Sequence, residues 1–160
     1  MAIDTHIKFD GVEGESAHKD HKGEIEVLSW SWGVSNMSSS AHGGSGSGKG
    51  KATGQDLHFT HHYDKASPVL AKKCAQGVHF KEVVITARKS GEGQKDFLKV
   101  TMKEVFISSV TLGANSGGDV AESVSMSYGS VDFAYKAQDE KGGLAGEVKF
   151  GWNLKTTAIT

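Results

Sequence analysis

Glu24-Ile25-Glu26-Val27-Leu28-Ser29-Trp30-Ser31-Trp32-Gly33 reads as an apolar strand that breaks its own alternation. Ile25 and Val27 share one parity, whereas Leu28, Trp30 and Trp32 share the other. A one-residue change of parity turns side chains to the opposite face, which is what a β-bulge does. The strand empties into Ser35 to Gly54, a stretch of Ser, Gly and Lys with six glycines between Gly43 and Gly54. So long a loop is uncommon in a compact domain unless it has a task.

Working outward, the same period-2 pattern recurs along the chain. Ile3, Thr5, Ile7 and Phe9 alternate with Asp4, His6, Lys8 and Asp10, and Leu57, Phe59 and His61 alternate with His58, Thr60 and His62. His79 to Arg88 reads as a strand with Val83, Ile85 and Ala87 in register. Asp96 to Leu112 carries two slips of parity, between Met102 and Val105 and between Ile107 and Val110. Glu122 to Tyr135 reads as one strand with a slip at Gly129, and Glu147 to Leu154 places Val148, Phe150, Trp152 and Leu154 on one face. Only one segment changes period. Ser67-Pro68 supplies an N-cap hydroxyl and a proline at the first helical turn, Leu70 and Cys74 lie four apart, and Gly77 closes the helix. The pattern predicts a mainly β fold: a bent antiparallel β-barrel of about seven to eight strands with one short flanking α-helix. Its boundaries are 1–160 as a single domain, with the long loop at about 35–54.

Composition excludes several function classes. The 160 residues carry a formal charge of −1, and Arg88 is the only arginine among 18 basic side chains. Nucleic-acid binders normally display a basic face and use arginine for bidentate contacts, so no nucleic-acid partner is expected. One cysteine, Cys74, excludes an intramolecular disulfide. Neither a basic-then-apolar leader nor a long apolar run is present, so no Sec signal and no membrane insertion are expected.

The candidate chemistry yields to simpler readings. Gly43-Gly44-Ser45-Gly46-Ser47-Gly48-Lys49-Gly50 follows phosphate-loop spacing up to its last position, where Gly50 replaces the hydroxyl that holds magnesium. A strand, not a helix, is expected after it, so the helix start that such a site needs is missing. His58 and His62 share a strand face but lie about 13 Å apart, and His61 points the other way, so one ion cannot take all three. His18 and His21 have no second pair at zinc-like spacing, and the histidines read as surface residues. Cys74 falls on the apolar stripe of the helix, and Glu24 and Glu26 read as the solvated side of a strand. No catalytic residue, metal or cofactor is expected. Apolar residues on both faces at Val83-Val84-Ile85, Val105-Phe106-Ile107 and Trp30/Trp32 call instead for burial against other subunits.

Particular motifs go further. Gly14-Glu15-Ser16, His21-Lys22-Gly23 leading into Glu24-Ile25-Glu26-Val27, Ser29-Trp30, the Gly/Ser/Lys loop, Asp64-Lys65-Ala66-Ser67-Pro68, Gly77, and Glu122 with Ser125 and Tyr128 resemble the haemolysin-coregulated protein (Hcp) family from end to end. That resemblance implies a barrel with a flanking helix, six copies closing into a homohexameric ring, and rings stacked into the inner tube of the type VI secretion system. It implies spike and sheath proteins as partners, effector proteins in the lumen, and residence in the bacterial cytoplasm until firing, then export without a Sec signal. The loop of such proteins reaches the next ring, which assigns ring stacking here to Ser45, Gly46, Ser47, Gly48, Lys49, Gly50 and Lys51. A small β-barrel module binding carbohydrate or another ligand is the alternative from a different class.

Overall fold

A computed structural model describes residues 2–36, 51–91, 93–138 and 144–160. Its strands are β1 (Ile3–Phe9), β2 (Ile25–Glu26), β3 (Ser29–Ser31), β4 (Val34–Asn36), β5 (Ala52–Gly54), β6 (Leu57–His62), β7 (His79–Lys89), β8 (Asp96–Ala114), β9 (Val120–Ser127), β10 (Ser130–Gln138) and β11 (Leu144–Asn153), with helix α1 (Ser67–Gln76) between β6 and β7. The pairings are all antiparallel among the described residues.

Strand β8 is the spine. One side pairs with β7, while the other pairs first with β10 over Leu98–Lys103 and then with β9 over Phe106–Ala114. The exchange falls at Glu104, whose φ of 53° is left-handed, a conformation that costs a residue with a Cβ. Facing it is Gly129, where a Cβ would stand 3.2 Å from that of Glu104. The first predicted slip lies here, and the second coincides with a register shift between Ile107 and Ser109. Glu122 to Tyr135 is two strands, not one. The chain breaks at Tyr128-Gly129 because β9 must pair with β6 whereas β10 turns away to pair with β11.

The remaining strands run in the order β2-β1-β7-β8-β9-β6-β3, so the two outermost strands are consecutive in sequence. Between them Val27 N–H donates to Thr5 O at 2.9 Å and Leu28 N–H to Thr60 O at 2.8 Å. The bulge read from the sequence is therefore a corner that ties both ends of the sheet into a barrel-like body, although no continuous ladder closes it. Among the described residues eleven strands stand where about seven to eight are expected, because the bends at Val27-Leu28 and Tyr128-Gly129 each divide a strand and a short ribbon, β4–β5, stands apart.

Ile7, Phe9, Leu57, Phe59, Val100, Met102, Ile107, Val124 and Met126 fill the interior. Each such side chain, taken out of water, contributes about 1.5–3 kcal/mol. Leu70 joins them from α1. The helix ends as predicted, with Gly77 left-handed at φ 66° and its N–H on Cys74 O. Its start differs. Ala66, not Ser67, is the N-cap, and no side chain caps it. Ser67 is buried inside the first turn, accepting the Asp64 N–H at 3.1 Å, while Asp64 accepts the Ala66 N–H at 2.9 Å. Val148, expected to face inward, is 69 % exposed, as are Tyr135 and Ile3 in large part.

Candidate assembly site

Ser45, Gly46, Ser47, Gly48, Lys49 and Gly50 lie outside the described residues, whereas Lys51 is exposed immediately before β5. The loop's ends are structured. Ser35 pairs with Thr53, Asn36 with Ala52 and Val34 with Gly54, so both ends of the expected 35–54 loop belong to a ribbon. Alternation could not reveal a ribbon of three pairs in Ser/Gly-rich sequence.

The ribbon is rooted in an aromatic clamp. Trp32 Nε1–H donates to the Tyr128 hydroxyl, which donates to Gln55 O at 2.8 Å, and Gln55 N–H donates to Gly33 O at 2.9 Å. Trp32 also packs on Phe133 with ring centroids 4.7 Å apart. Gly54 lies so close that a Cβ would stand 2.9 Å from the Tyr128 oxygen and 3.1 Å from Trp152. Only glycine allows that approach.

Two buried polar clusters correct the reading of the histidines as surface residues. His6 of β1 stacks on His21 at 4.8 Å and lies 5.1 Å from His18, both residues of the 11–23 segment. Nδ1 of His21 contacts Glu24, which draws that carboxylate away from the solvated face assigned to it, and Nε2 lies 3.1 Å from Asp96 Oδ1. Arg88 is internal: Nε donates to Asp96 at 2.7 Å, and Nη1 to Asp20 at 2.8 Å and Gln94 O at 3.0 Å. The single guanidinium thus clasps a loop to the sheet. In the second cluster, fully buried His61 faces Glu122 with Nε2 3.0 Å from Oε1. His58 and His62 are exposed on the opposite face. Sequence alternation did place His61 inward with Leu57 and Phe59; what it lacked was the partner on β9.

Among the described residues no three His, Cys, Asp or Glu side chains converge as metal ligands do. Cys74 is half-buried against the core. No described helix is long and apolar enough to cross a membrane.

Residues 6–135 match the family described as "Type VI secretion system effector, Hcp". Over 97% of both chains, 44% of residues are identical to "Protein hcp1" of Pseudomonas aeruginosa. The chain belongs to the Hcp family. Two solved structures agree: one described as "Structure of a type six secretion system protein" superposes with a TM-score of 0.93 at 32% identity, covering 99% of this chain and 100% of that one. Hcp1 from Salmonella typhimurium gives 0.82 at 32% identity, with each chain covered completely. The Hcp assignment makes this a type VI secretion protein with a mainly β fold and one short helix, and the rival reading as a ligand-binding module gains no support.

For this Hcp chain the two histidine clusters set opposite limits on stability. Burial first, then repulsion from His21 and His18, lowers His6 to about 4. Between pH 6.5 and 4 the unfolded chain takes up a proton that folded His6 refuses, so stability falls with acidification across that range. Burial opposes a charged His61, but Asp64 and Glu122 outweigh it and raise its pKa above the usual value. Its contribution is full below pH 6.5 and is lost as pH rises through the raised value. Asp64 and Asp96 are partly buried, yet their partners hold both carboxyls below the ordinary range, so their contribution fades in stronger acid. Urea midpoints measured from pH 4.5 to 8.5 are expected to peak near pH 6.5, with the acid limb flattened in His6→Gln. A flat profile from pH 7 to 4.5 contradicts the His6 assignment.

Proposed function

We propose that the chain is a non-enzymatic subunit of the type VI secretion tube, with six copies closing into a ring and rings stacking end to end. The observation that carries this reading is the 44% identity to the Pseudomonas aeruginosa protein over 97% of both chains. The monomer's surface supports it. A closed ring needs two different complementary patches on each subunit. Exposed Ile3, Leu28 and Tyr63 gather around one concavity of about 500 Å³ at β1, the β2–β3 corner and the end of β6. Exposed Tyr135 and Val148 are cross-strand neighbours on β10 and β11. In the row β2-β1-β7-β8-β10-β11 these patches occupy opposite edges. One patch meeting the other on the next copy propagates head to tail, as ring closure requires.

In this reading Ser45 to Lys51 form the stacking arm, the tube docks on spike and sheath proteins, and small effectors travel in the lumen. The subunit waits in the bacterial cytoplasm and leaves it when the sheath contracts. The chain, tagged and expressed in a bacterium with an active type VI apparatus, is expected in the medium and retained when the sheath cannot contract. Equal release from both strains contradicts the proposal.

A further inference from the structure

The arm's ribbon, β4–β5, is a separate two-stranded sheet with no ladder to the nine-stranded body. A ribbon of three pairs is marginal in water by itself, so what aims it must come from outside its own hydrogen bonds. Tyr128 supplies that tie. It lies outside every strand, at the corner between β9 and β10, and its ring is buried in the core. The hydroxyl reaches two atoms: it accepts from Trp32, one residue before Gly33, and donates to the carbonyl of Gln55, one residue after Gly54. The two passes of chain that enter and leave the ribbon are thereby joined through one oxygen. Its seat is confined by Gly54, and Trp32 is braced by Phe133 and Phe150.

We infer that Tyr128, through the Trp32–Tyr128–Gln55 relay, is a positioning residue that fixes the direction in which the stacking arm leaves the barrel. This rests on the reading of the arm as the contact between rings. Burial pushes the Tyr128 phenol up, so the hydroxyl remains a donor at any physiological pH. The consequence is specific. Removing the oxygen leaves the ring in the core and every body ladder intact, while the ribbon loses its polar tether.

Hydrogen exchange, ring integrity and ring stacking measured together in Tyr128→Phe provide the test. Amides of Val34–Asn36 and Ala52–Gln55 are expected to exchange at least about tenfold faster, since the hydrogen bonds to both Trp32 and Gln55 are lost, with exchange in β7 and β8 unchanged. Single rings persist, and stacking and export fall several-fold. Trp32→Phe, which removes the donor at the other end, is expected to reproduce the pattern should Tyr128→Phe fold poorly. Unchanged exchange in the ribbon, or faster exchange with unchanged stacking, overturns the positioning role. Deleting Gly43 to Lys51 separates the two levels. Stacking that survives the deletion overturns the arm reading and this inference together; stacking lost on deletion but kept in both point variants overturns the inference alone.

Discussion

Glu122→Ala is expected to destabilise the protein by about 3–5 kcal/mol, the usual cost of leaving one member of a buried ion pair alone. Glu122 is 1% exposed, and His61 opposite it on β6 is fully buried. The two are directly paired across the β6–β9 ladder, and Asp64 Oδ2 stands 3.8 Å from the other ring nitrogen, beyond hydrogen-bond reach. Truncation therefore leaves buried His61 with the Asp64 carboxylate as its one remaining ion-pair partner. At roughly 2–4 °C per kcal/mol for a chain of this size, the melting temperature falls by on the order of 10 °C. The same replacement empties the volume of a carboxymethyl group beside His61, adding a cavity cost. The double change His61→Leu with Glu122→Leu is expected to be much less harmful than the sum of the single changes, because no buried charge is stranded. Urea unfolding followed by tryptophan fluorescence reads both, and a loss under about 1 kcal/mol in Glu122→Ala contradicts the account.

Deletion of Gly43 to Lys51 is expected to spare the fold and the single ring while abolishing stacking and export. The ribbon pairs Val34–Gly54, Ser35–Thr53 and Asn36–Ala52 all survive, and residues 37–42 remain to join them. Loop-closure entropy changes slowly with length, so shortening the connection from fifteen residues to six alters stability by only about 0.8 kcal/mol. Stacking responds very differently. In the proposed tube six arms act together in each ring-to-ring contact, and losing all of them at once removes the multivalent gain, on the order of a hundredfold or more. Rings counted singly and in stacks by electron microscopy, with export measured in parallel, check both halves. Export at the unaltered level refutes the arm's role.

Much of the body was legible in the sequence because period 2 and its interruptions carry direct physical meaning. The slips after Met102 and Ile107 mark where β8 changes neighbour and register, and the parity change at Val27-Leu28 marks the corner between β2 and β3. Gly77 was legible because a left-handed residue ends the helix. The N-cap was not, since Asp64 engages both Ala66 and Ser67 and draws the hydroxyl inward. The polar interior was equally hidden. Burial of His6, His21 and Arg88 depends on the 11–23 segment folding over β1 and β7, and a polar, glycine-bounded loop carries no periodicity to announce it. Val148 alternates correctly yet faces outward, because strand parity assigns a face without saying what covers it. In the candidate site, the clamp of Trp32, Tyr128 and Gly54 joins residues far apart in sequence, so composition and spacing could point to the arm but not to its anchor.

Negative-stain imaging of the purified protein at high concentration tests the central claim most directly. The account predicts six-fold rings with the mass of six 17.0 kDa chains. A field of monomers or compact dimers, without rings at any concentration reached, contradicts it.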